Sequence, residues 1–333
     1  MRILVTGGAG FIGSHFARRV AAQGDEVVVL DKLTYSGNRA NLEDVDHEFH
    51  QGDIADPDAV QRAANGCDAI VNFAAETHVD RSILGATDFG QTEFTGTQVL
   101  LEYVKEQQIR YVQVSTDEVY GDMPPGQSAV ETDPVRPSSP YSVAKAAGDM
   151  WIPAYVRTFG INASITRGAN TYGSHQYPEK MVPLFTTNAL DGDPLPVYGD
   201  GRQRREWLHV ADHCSGIDVA LRRGAVGEDY NVGYGGDGVN GIEVADAVLS
   251  ALGKPASLKQ YVQDRPGHDR RYALDTAKLR ALGWAPQVSF EEGMRRTARW
   301  YAENQEWWRP LKSGEFWDFY KRNYKPLHGA AAG

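Results

Sequence analysis

A short apolar strand that leads directly into a glycine-rich turn is the feature that most limits the fold of this chain. Residues 3–5 are apolar, Gly7, Gly10 and Gly13 follow at G-x-x-G-x-x-G spacing, and residues 11–23 carry apolar side chains at helical intervals. Backbone N–H groups at the start of such a helix, with no Cβ in the way, suit a pyrophosphate. Glycines at this spacing also arise by chance, so the interpretation depends on the strand before them and the helix after them. The turn therefore predicts a dinucleotide site near the N-terminus.

Apolar segments alternate with helical patterns through the first half of the chain. The predicted elements are strands at residues 3–5, 27–30, 69–74, 111–115 and 163–166, and helices at residues 11–23, 92–107 and 141–158. Strands that are apolar on both faces and separated by helices are typical of a parallel sheet covered on both sides. We therefore predict an α/β fold with a Rossmann-like, doubly wound parallel sheet.

The pattern changes after Gly168, where proline and glycine divide the chain into short elements, with helices predicted at 211–223 and 241–252. We expect a first domain, residues 1–168, to which some later segments return. A smaller, interleaved mixed α/β domain, residues 169–328, is expected to bind the substrate. We expect the Gly-Ala tail, residues 329–333, to be frayed.

Charge and cysteine content exclude several classes of protein. The 34 Lys and Arg residues against 44 Asp and Glu give a net charge of −10, which argues against nucleic-acid binding. An anionic ligand would therefore need a local basic cluster. Cys67 and Cys214 are the two cysteines, too few for a disulfide framework. Without an 18-residue apolar run or room for a signal peptide, we expect a cytoplasmic protein that does not bind membranes.

Two acidic residues, Asp31 and Asp53, indicate which dinucleotide is bound. Asp31 ends the second strand, 18 residues after Gly13. A carboxylate there accepts hydrogen bonds from the ribose hydroxyls of NAD and repels a 2′-phosphate, although the neighbouring Lys32 weakens that repulsion. Asp53 is placed to reach the adenine. We predict NAD rather than NADP.

Tyr141 and Lys145 form the Y-x-x-x-K pair of the chain. Positions i and i+4 share a helix face, so the ammonium can lower the pKa of the phenol and also hold a ribose. A phenolate that accepts a hydroxyl proton while NAD accepts the hydride is the arrangement of a dehydrogenase. A surface Tyr–Lys pair is the alternative, and the dinucleotide turn argues against it.

Motifs through residues 1–325 resemble those of the extended short-chain dehydrogenase/reductase family, and within it the nucleotide-sugar 4,6-dehydratases. The matching segments are TGGAGFIGS (6–14), DKLTYSGN (31–38), AAETHVDRS (74–82), STDEVYGD (115–122), YSVAK (141–145), NTYG (170–173) with PEK (178–180), and DRPGHDRRY (264–272). The resemblance implies that NAD takes a hydride from C4 of the sugar, that water leaves across C5–C6, and that the hydride returns to C6. It also implies dTDP-glucose as the substrate and a homodimer.

The segment Thr116-Asp117-Glu118 carries the dehydratase chemistry in this resemblance. Removing the C5 proton needs a base, and the C6 hydroxyl needs an acid to leave as water. The resemblance implies that Glu118 is the base, that Asp117 is the acid, and that Thr116 and Tyr141 lie at the C4 oxygen. Adjacent strand residues face opposite ways, so both carboxyl groups can face one sugar only if the chain turns there.

The resemblance extends to binding residues. It implies NAD contacts from Gly7, Gly10, Phe11, Ile12, Gly13, Asp31, Lys32, Thr34, Asp53, Ile54, Ala74, Ala75, Tyr141, Lys145 and Asn170. It implies substrate contacts from Thr77, His78, Thr116, Asp117, Glu118, Asn170, Glu179, Lys180, Pro196, Tyr198, Arg205, Asn240, Arg265, His268 and Tyr272. We predict no metal site.

Departures from the family pattern, which include Glu206 and His209 in place of the usual Asp and Tyr and a short loop between Glu118 and Tyr141, and one awkward residue affect these expectations. Glu93 stands where the family usually has Asn, and Gly168-Ala-Asn-Thr171 replaces a more polar run. Pro153 lies inside the second of the two helices that the resemblance places at the dimer contact, residues 92–108 and 141–158. We expect a kink there, since proline cannot donate to the carbonyl of Asp149.

Other functions remain as alternatives. A UDP-sugar 4-epimerase shares the fold, the cofactor and the Y-x-x-x-K pair, but it has no need for the Asp117–Glu118 pair. A nucleotide-sugar decarboxylase also lacks the acid at position 117, and a UDP-glucose 4,6-dehydratase would differ only in the nucleotide. A non-catalytic NAD-binding protein would typically lack Tyr141 or Lys145.

Overall fold

The computed structural model describes residues 1–325. Thirteen strands occur in this part of the chain: β1 (Arg2–Thr6), β2 (Glu26–Asp31), β3 (Glu48–Gln51), β4 (Ala69–Asn72), β5 (Arg110–Thr116), β6 (Ala163–Gly168), β7 (Asn170–Tyr172), β8 (Leu195–Tyr198), β9 (Arg204–Arg205), β10 (Trp207–His209), β11 (Asp229–Val232), β12 (Val239–Asn240) and β13 (Lys259–Val262). Seven of them form one parallel sheet in the order β11-β6-β5-β4-β1-β2-β3. The order reverses between β1 and β4, which is where a doubly wound sheet binds its ligand.

Helices cover both faces of this sheet. The α-helices are α1 (Phe11–Ala22), α2 (Pro57–Ala64), α3 (Val79–Leu84), α4 (Thr87–Gly90), α5 (Thr97–Gln107), α6 (Pro140–Phe159), α7 (Met181–Asp191), α8 (Val210–Arg223), α9 (Gly241–Leu252), α10 (Ala277–Ala281), α11 (Phe290–Glu303), α12 (Gln305–Trp308) and α13 (Gly314–Asn323). Gln91–Gly96 is π-helical, and short 3₁₀ turns span Arg39–Leu42, Asp117–Tyr120, Ala256–Leu258 and Arg309–Leu311. Alternate residues of β1 and β2 point to opposite faces, so that one buried cluster lies under α2, α5 and α6 and the other under α1 and α8. The predicted Rossmann-like fold is confirmed.

The chain after β6 builds a smaller unit beside the carboxyl ends of the strands. This unit contains three two-stranded sheets, which pair β7 with β10, β8 with β13 and β9 with β12. Helices α7, α9 and α11 pack around a core that contains Phe185, Val248 and Met294. Strand β11 and helix α8 return from this half of the sequence to the parallel sheet and its α1 face. The division at residues 168/169 stays a prediction. The last residues of the second predicted domain, 326–328, and the tail, 329–333, lie outside the described part of the chain.

The start of one helix differs from the sequence expectation. The helix predicted at residues 92–107 begins with the π-helical turn, and α5 proper starts at Thr97. Helix α6 includes Pro153 and ends at Phe159, close to the predicted bounds, with Pro153 on its exposed side. The kink expected at Pro153 stays a prediction. Across residues 1–325, no helix combines the length and apolarity that crossing a membrane requires.

Candidate active site

A cavity of about 370 Å³ lies at the carboxyl ends of the sheet strands, between the sheet and the smaller unit. Its walls include the loops after β1, β4, β5 and β6, the start of α6, and the region of β8 and β9. It therefore spans the switch point of the sheet, where dinucleotides and their substrates meet in folds of this kind.

The glycine turn forms the floor of the cavity below α1. Gly7 has a φ of +64°, and a Cβ there would lie 2.7 Å from the backbone nitrogen of Ala74. A Cβ on Gly13 would lie 2.3 Å from the carbonyl oxygen of Gly7. Only glycine fits these two positions, so the backbone can come close to a pyrophosphate at the N-terminus of α1. The residues present therefore fit NAD.

Asp31 and the Lys32–Asp53 pair lie at one end of the cavity. The Asp31 carboxylate accepts hydrogen bonds from the backbone N–H groups of Ala9 at 2.9 Å and Leu33 at 2.8 Å. A carboxylate has further lone pairs for ribose hydroxyls. Lys32 Nζ lies 2.7 Å from Asp53 Oδ2, so its charge is compensated within the protein. This pairing leaves less positive charge to attract a 2′-phosphate, consistent with the prediction of NAD over NADP.

The first turn of α6 positions Tyr141 and Lys145. Ser139 accepts a hydrogen bond from the backbone N–H of Ser142 at 3.1 Å, and the Ser142 hydroxyl accepts one from the backbone N–H of Ser139 at 3.0 Å. This capping box fixes the helix start. Lys145 is buried, donates to the carbonyl oxygen of Val114 at 2.8 Å and contacts the carboxylate of Glu93. The two side chains of the Y-x-x-x-K pair both line the cavity.

Strand β5 ends at Thr116, and the 3₁₀ turn that follows brings both acidic side chains into the cavity. Thr116 caps the turn by accepting from the backbone N–H of Glu118 at 3.3 Å. Asp117 is 3% exposed, and its Oδ2 has no hydrogen-bond partner. The turn supplies the geometry that the Asp117–Glu118 pair requires, because consecutive residues no longer point to opposite faces.

The two carboxyl groups experience different electrostatic surroundings. Burial, with the neighbouring charges of Glu118 and Glu206, raises the pKa of Asp117 well above its usual range. Burial also raises the pKa of Glu118, but Arg265, Arg205 and Lys180 oppose that rise. The surroundings therefore favour a protonated Asp117 beside a more readily ionised Glu118, which is the pairing of an acid with a base.

Tyr141 is held in its neutral form by its surroundings. Burial raises the pKa of Tyr141 well above 10, the charges of Glu118 and Glu93 raise it further, and a hydrogen bond with Thr116 opposes the change. A positive charge brought into the cavity beside this phenol would lower its pKa and help it to act as a base.

Cations gather at the opposite end of the cavity, where the smaller unit closes it. Arg205 donates to backbone carbonyl oxygens, and its guanidinium stacks on the ring of Tyr272 at 4.1 Å. Arg265 pairs with Asp80 at 3.2 Å, and its Nε is buried without a partner. Lys180 completes the group. These cations could hold a diphosphate in a protein whose net charge is negative.

His268 contributes no charge to this cluster. Burial and the nearby Arg265 lower the pKa of His268 to about 4. Its Nδ1 lies 2.6 Å from Asp264 Oδ1, so the neutral ring donates to that carboxylate. Glu179, also predicted to contact substrate, is fixed by Arg81 at 2.9 Å.

The cavity lining contains every residue predicted to contact NAD and most of those predicted to contact substrate. Asn240 and Tyr272 lie outside the lining. Asn240 accepts from the backbone N–H groups of Ile242 and Glu243 as the N-cap of α9, and Tyr272 supports Arg205 from behind. Their substrate contacts stay predictions. Within residues 1–325, no cluster of three or more His, Cys, Asp or Glu side chains is arranged to hold a metal ion.

Several lining residues were not predicted. These residues, all of which line the cavity, are Asp80, Gln203, Trp207, His213 and Tyr324. Asp80 lies within one of the family motifs and could have been found from it. Tyr324 reaches the cavity from the end of α13, and no local pattern indicates which part of the sheet domain a terminal helix will approach.

The comparisons with known proteins agree with this geometry. Residues 3–233 match the model of the NAD dependent epimerase/dehydratase family. A dTDP-glucose 4,6-dehydratase from Streptomyces niveus is 51% identical over 94% of this chain and 96% of its own length. The crystal structure of DesIV, a dTDP-glucose 4,6-dehydratase from Streptomyces venezuelae with NAD bound, superposes with a TM-score of 0.90 at 51% identity, covering 94% of this chain and all of that one.

A relative with another activity shares the fold at lower identity. The UDP-glucose 4-epimerase of Thermus thermophilus, solved in complex with NAD, gives a TM-score of 0.85 at 34% identity over 91% of this chain and all of that one. Fold alone does not separate the two activities. The family match covers more than half of the chain, and the chain therefore belongs to the NAD-dependent epimerase/dehydratase family.

Proposed function

We propose that this protein is a dTDP-glucose 4,6-dehydratase, an NAD-dependent lyase that converts dTDP-glucose to dTDP-4-keto-6-deoxyglucose and water. The single observation that carries the proposal is the turn at Asp117–Glu118, which brings two carboxyl groups of different proton affinity into the cavity beside Tyr141. Relatives of this name at about half identity over nearly the whole chain support it.

Each residue has a distinct task in this proposal. When bound, NAD accepts a hydride from C4 of the sugar and later returns it to C6. Tyr141, with Thr116, takes the proton from the C4 hydroxyl. Glu118 removes the C5 proton, which the C4 ketone has made acidic, and Asp117 protonates the C6 hydroxyl so that it leaves as water. Lys145 holds the cofactor ribose.

The substrate is anionic, and the protein must supply local positive charge for it. We assign the diphosphate to Arg205 and Arg265, which flank the cavity on the side of the smaller unit, with Lys180 nearby. The protein as a whole carries a net charge of −10, so these cations supply the local positive charge that the substrate needs. Guanidinium groups are well suited to the paired oxygens of phosphate groups.

A 4-epimerase is the main competing function, because a member of that class shares the fold and the cofactor. Epimerisation at C4 requires neither a base at C5 nor an acid at C6. A buried Asp117 with a strongly raised pKa would then have no task, and its burial would only cost stability.

Product analysis with two nucleotide sugars tests the proposal. The protein is incubated separately with dTDP-glucose and UDP-glucose, and the masses of the products are measured by mass spectrometry. We expect dTDP-glucose to lose one water and UDP-glucose to react more slowly. An unchanged mass together with a galacto-configured product would establish epimerisation instead.

The proposal includes a homodimer formed through the face of α5 and α6. Apolar side chains are exposed on α6 and on the π-helical turn that precedes α5: Phe94 of that turn is 46%, and Val143 and Met150 of α6 are 53% and 61% exposed. Neighbouring apolar side chains at this exposure are typical of an interface. A location in the cytoplasm is also proposed, supported by Cys67 and Cys214, both of which are buried and free of disulfides.

A further inference from the structure

Glu93 forms a buried ion pair with the lysine of the Y-x-x-x-K pair. Its carboxylate is 1% exposed, and Lys145 Nζ lies 3.0 Å from Oε1 and 3.1 Å from Oε2. Only the contact to Oε2 has hydrogen-bond geometry, and Oε1 has no hydrogen-bond partner. Lys145 also donates to the Val114 carbonyl oxygen at 2.8 Å. Two of the three ammonium N–H groups are therefore fixed, which leaves one for a ligand in the cavity.

Two local features of the fold make room for this carboxylate. Glu93 lies in the π-helical turn Gln91–Gly96, and turns of this type occur frequently at functional sites. On α6, Gly148 faces the same spot. A Cβ there would lie 2.9 Å from the backbone oxygen of Glu93 and 3.4 Å from its Oε2. The absence of a side chain at Gly148 therefore lets the π-turn approach α6.

Lys145 is the cation that pairs with Glu93, while burial and two nearby carboxylates act against ionisation of Glu93. Asp149 on α6 pairs with Arg167 of β6 at 3.2 Å. Burial raises the pKa of Glu93, Lys145 opposes that rise, and the like charges of Asp149 and of Glu76, from the loop after β4, add to it. From the turn after β5, Asp117 and Glu118 face Tyr141.

We propose that Glu93 is a positioning residue for the reaction: its buried carboxylate orients the ammonium of Lys145 and offsets that positive charge beside Tyr141 and the nicotinamide. The catalytic consequence of this role rests on the proposed function. The buried pair itself does not depend on that function, because a buried ammonium without a counter-ion is strongly disfavoured.

The proposal predicts how the site treats the two redox states of the cofactor. Oxidised NAD carries a positive charge on its nicotinamide ring, and the reduced form does not. A carboxylate close to Lys145 balances the ammonium and leaves the site more favourable to the oxidised ring. Neutralising Glu93 should weaken binding of the oxidised cofactor relative to the reduced one.

Cofactor binding provides the first test, without any catalysis. Dissociation constants for NAD and NADH are measured by tryptophan fluorescence on three cofactor-free proteins: the unsubstituted protein, Glu93→Gln and Glu93→Asn. Asn is the residue usual at this position in the family. We expect the ratio of the NAD constant to the NADH constant to rise about tenfold in both variants, the effect of one charge at close range. Glu106→Gln, the same change at an exposed site of α5, should leave the ratio unchanged.

The pH dependence of kcat/KM provides the second test. Removing the negative charge beside Tyr141 should lower the pKa of that phenol, so the acidic limb of the profile should move to lower pH by about one unit. Glu93→Asp keeps the charge. Its acidic limb should stay at the same pH as in the unsubstituted protein, and its ratio of the NAD to the NADH dissociation constant should also be unchanged. A residue that only supports folding would lower the melting temperature without moving either quantity.

The two tests separate this proposal from the proposed function. An unchanged cofactor ratio in folded Glu93→Gln or Glu93→Asn would overturn the role of Glu93, whatever reaction the protein performs. A product other than the 4-keto-6-deoxy sugar would overturn the proposed function and leave the cofactor ratio as evidence for Glu93.

Discussion

Asp117 and Glu118 are adjacent in the chain, yet the fold raises the pKa of Asp117 strongly and opposes the rise at Glu118 with nearby cations. Asp117 lies deeper and faces two carboxylates, whereas Glu118 faces two arginines and a lysine. A single turn of 3₁₀ helix creates this difference by ending β5 at the cavity wall. Roles in catalysis are thus set by the surroundings of each side chain and not by its chemical type.

Replacing Asp117 by Asn should separate the steps of the reaction. An amide is a very poor acid for the C6 hydroxyl, so we expect C4 oxidation to persist and loss of water to slow by about 10²-fold or more. Rapid-quench analysis of the sugar, together with absorbance of the reduced nicotinamide, measures both steps. Full turnover in this variant would remove Asp117 from the mechanism.

The raised pKa of Asp117 also predicts a pH-dependent effect on stability. A carboxyl group whose folded-state pKa exceeds its unfolded value stabilises the protein fully below the unfolded value, about 4, and loses that contribution as the pH rises through the folded value. Asp117→Asn should therefore raise the free energy of unfolding at pH 8, and the gain should shrink as the pH falls towards about 4.

Urea unfolding across this pH range measures the effect, with Asp58→Asn at an exposed position of α2 as the control. A gain for Asp117→Asn that does not depend on pH would contradict the assignment of a protonated carboxyl group at position 117.

At the scale of elements, helix α6 connects local sequence to catalysis. Ser139 and Ser142 cap it, Pro140 occupies its first turn, and Tyr141 and Lys145 project from its first two turns. The bounds of such elements could be predicted closely: residues 141–158 were expected, and Pro140–Phe159 is observed. Capping residues and apolar periodicity are local signals, which is why they succeed.

Loss of the cap on α6 should affect activity as well as stability. We expect Ser139→Ala to cost about 1 kcal/mol of unfolding free energy and to lower kcat, because Tyr141 lies in the turn that the cap fixes. Ser289 caps α11 in the same way, accepting from the backbone N–H of Glu292. Ser289→Ala should cost similar stability and leave kcat unchanged. Equal activities in the two variants would argue that the cap does not position Tyr141.

The turn at Asp117 and the π-turn at Glu93 mark the limit of prediction at this scale. Each departs from regular structure for one turn, and each depends on tertiary contacts: Thr116 capping the first, and Gly148 with Lys145 accommodating the second. The sequence identified Asp117 and Glu93 as notable residues. It contained no local signal for the backbone geometry that places them.

For the molecule as a whole, the cavity arises where the sheet and the smaller unit meet. Glycines and acidic residues of the cofactor half follow strand ends and could be predicted from the fold class alone. Arg205 and Arg265 approach from distant parts of the chain, so the resemblance to a family was needed to find them. The N-capping role of Asn240 and the position of Tyr272 behind Arg205 depend on packing that no motif specifies.

The exposed apolar side chains of α6 and of the π-helical turn before α5 predict how the molecule associates. Met150→Glu places a charge on that face without removing a buried contact, since Met150 is 61% exposed. We expect it to shift sedimentation at micromolar concentration from dimer towards monomer. Tyr261→Glu, at a 42% exposed position of β13, should leave the dimer intact. A monomeric unsubstituted protein at that concentration would contradict the proposed dimer.

The central claim is that oxidation, elimination and reduction occur on one sugar without net redox change. The most direct measurement uses dTDP-glucose labelled with deuterium at C4, incubated with the purified protein and no added NAD, followed by NMR of the product. The account predicts a 4-keto-6-deoxy sugar that carries the deuterium at C6. Free NADH accumulating in proportion to the sugar consumed, or deuterium retained at C4 of a hexose, would contradict it.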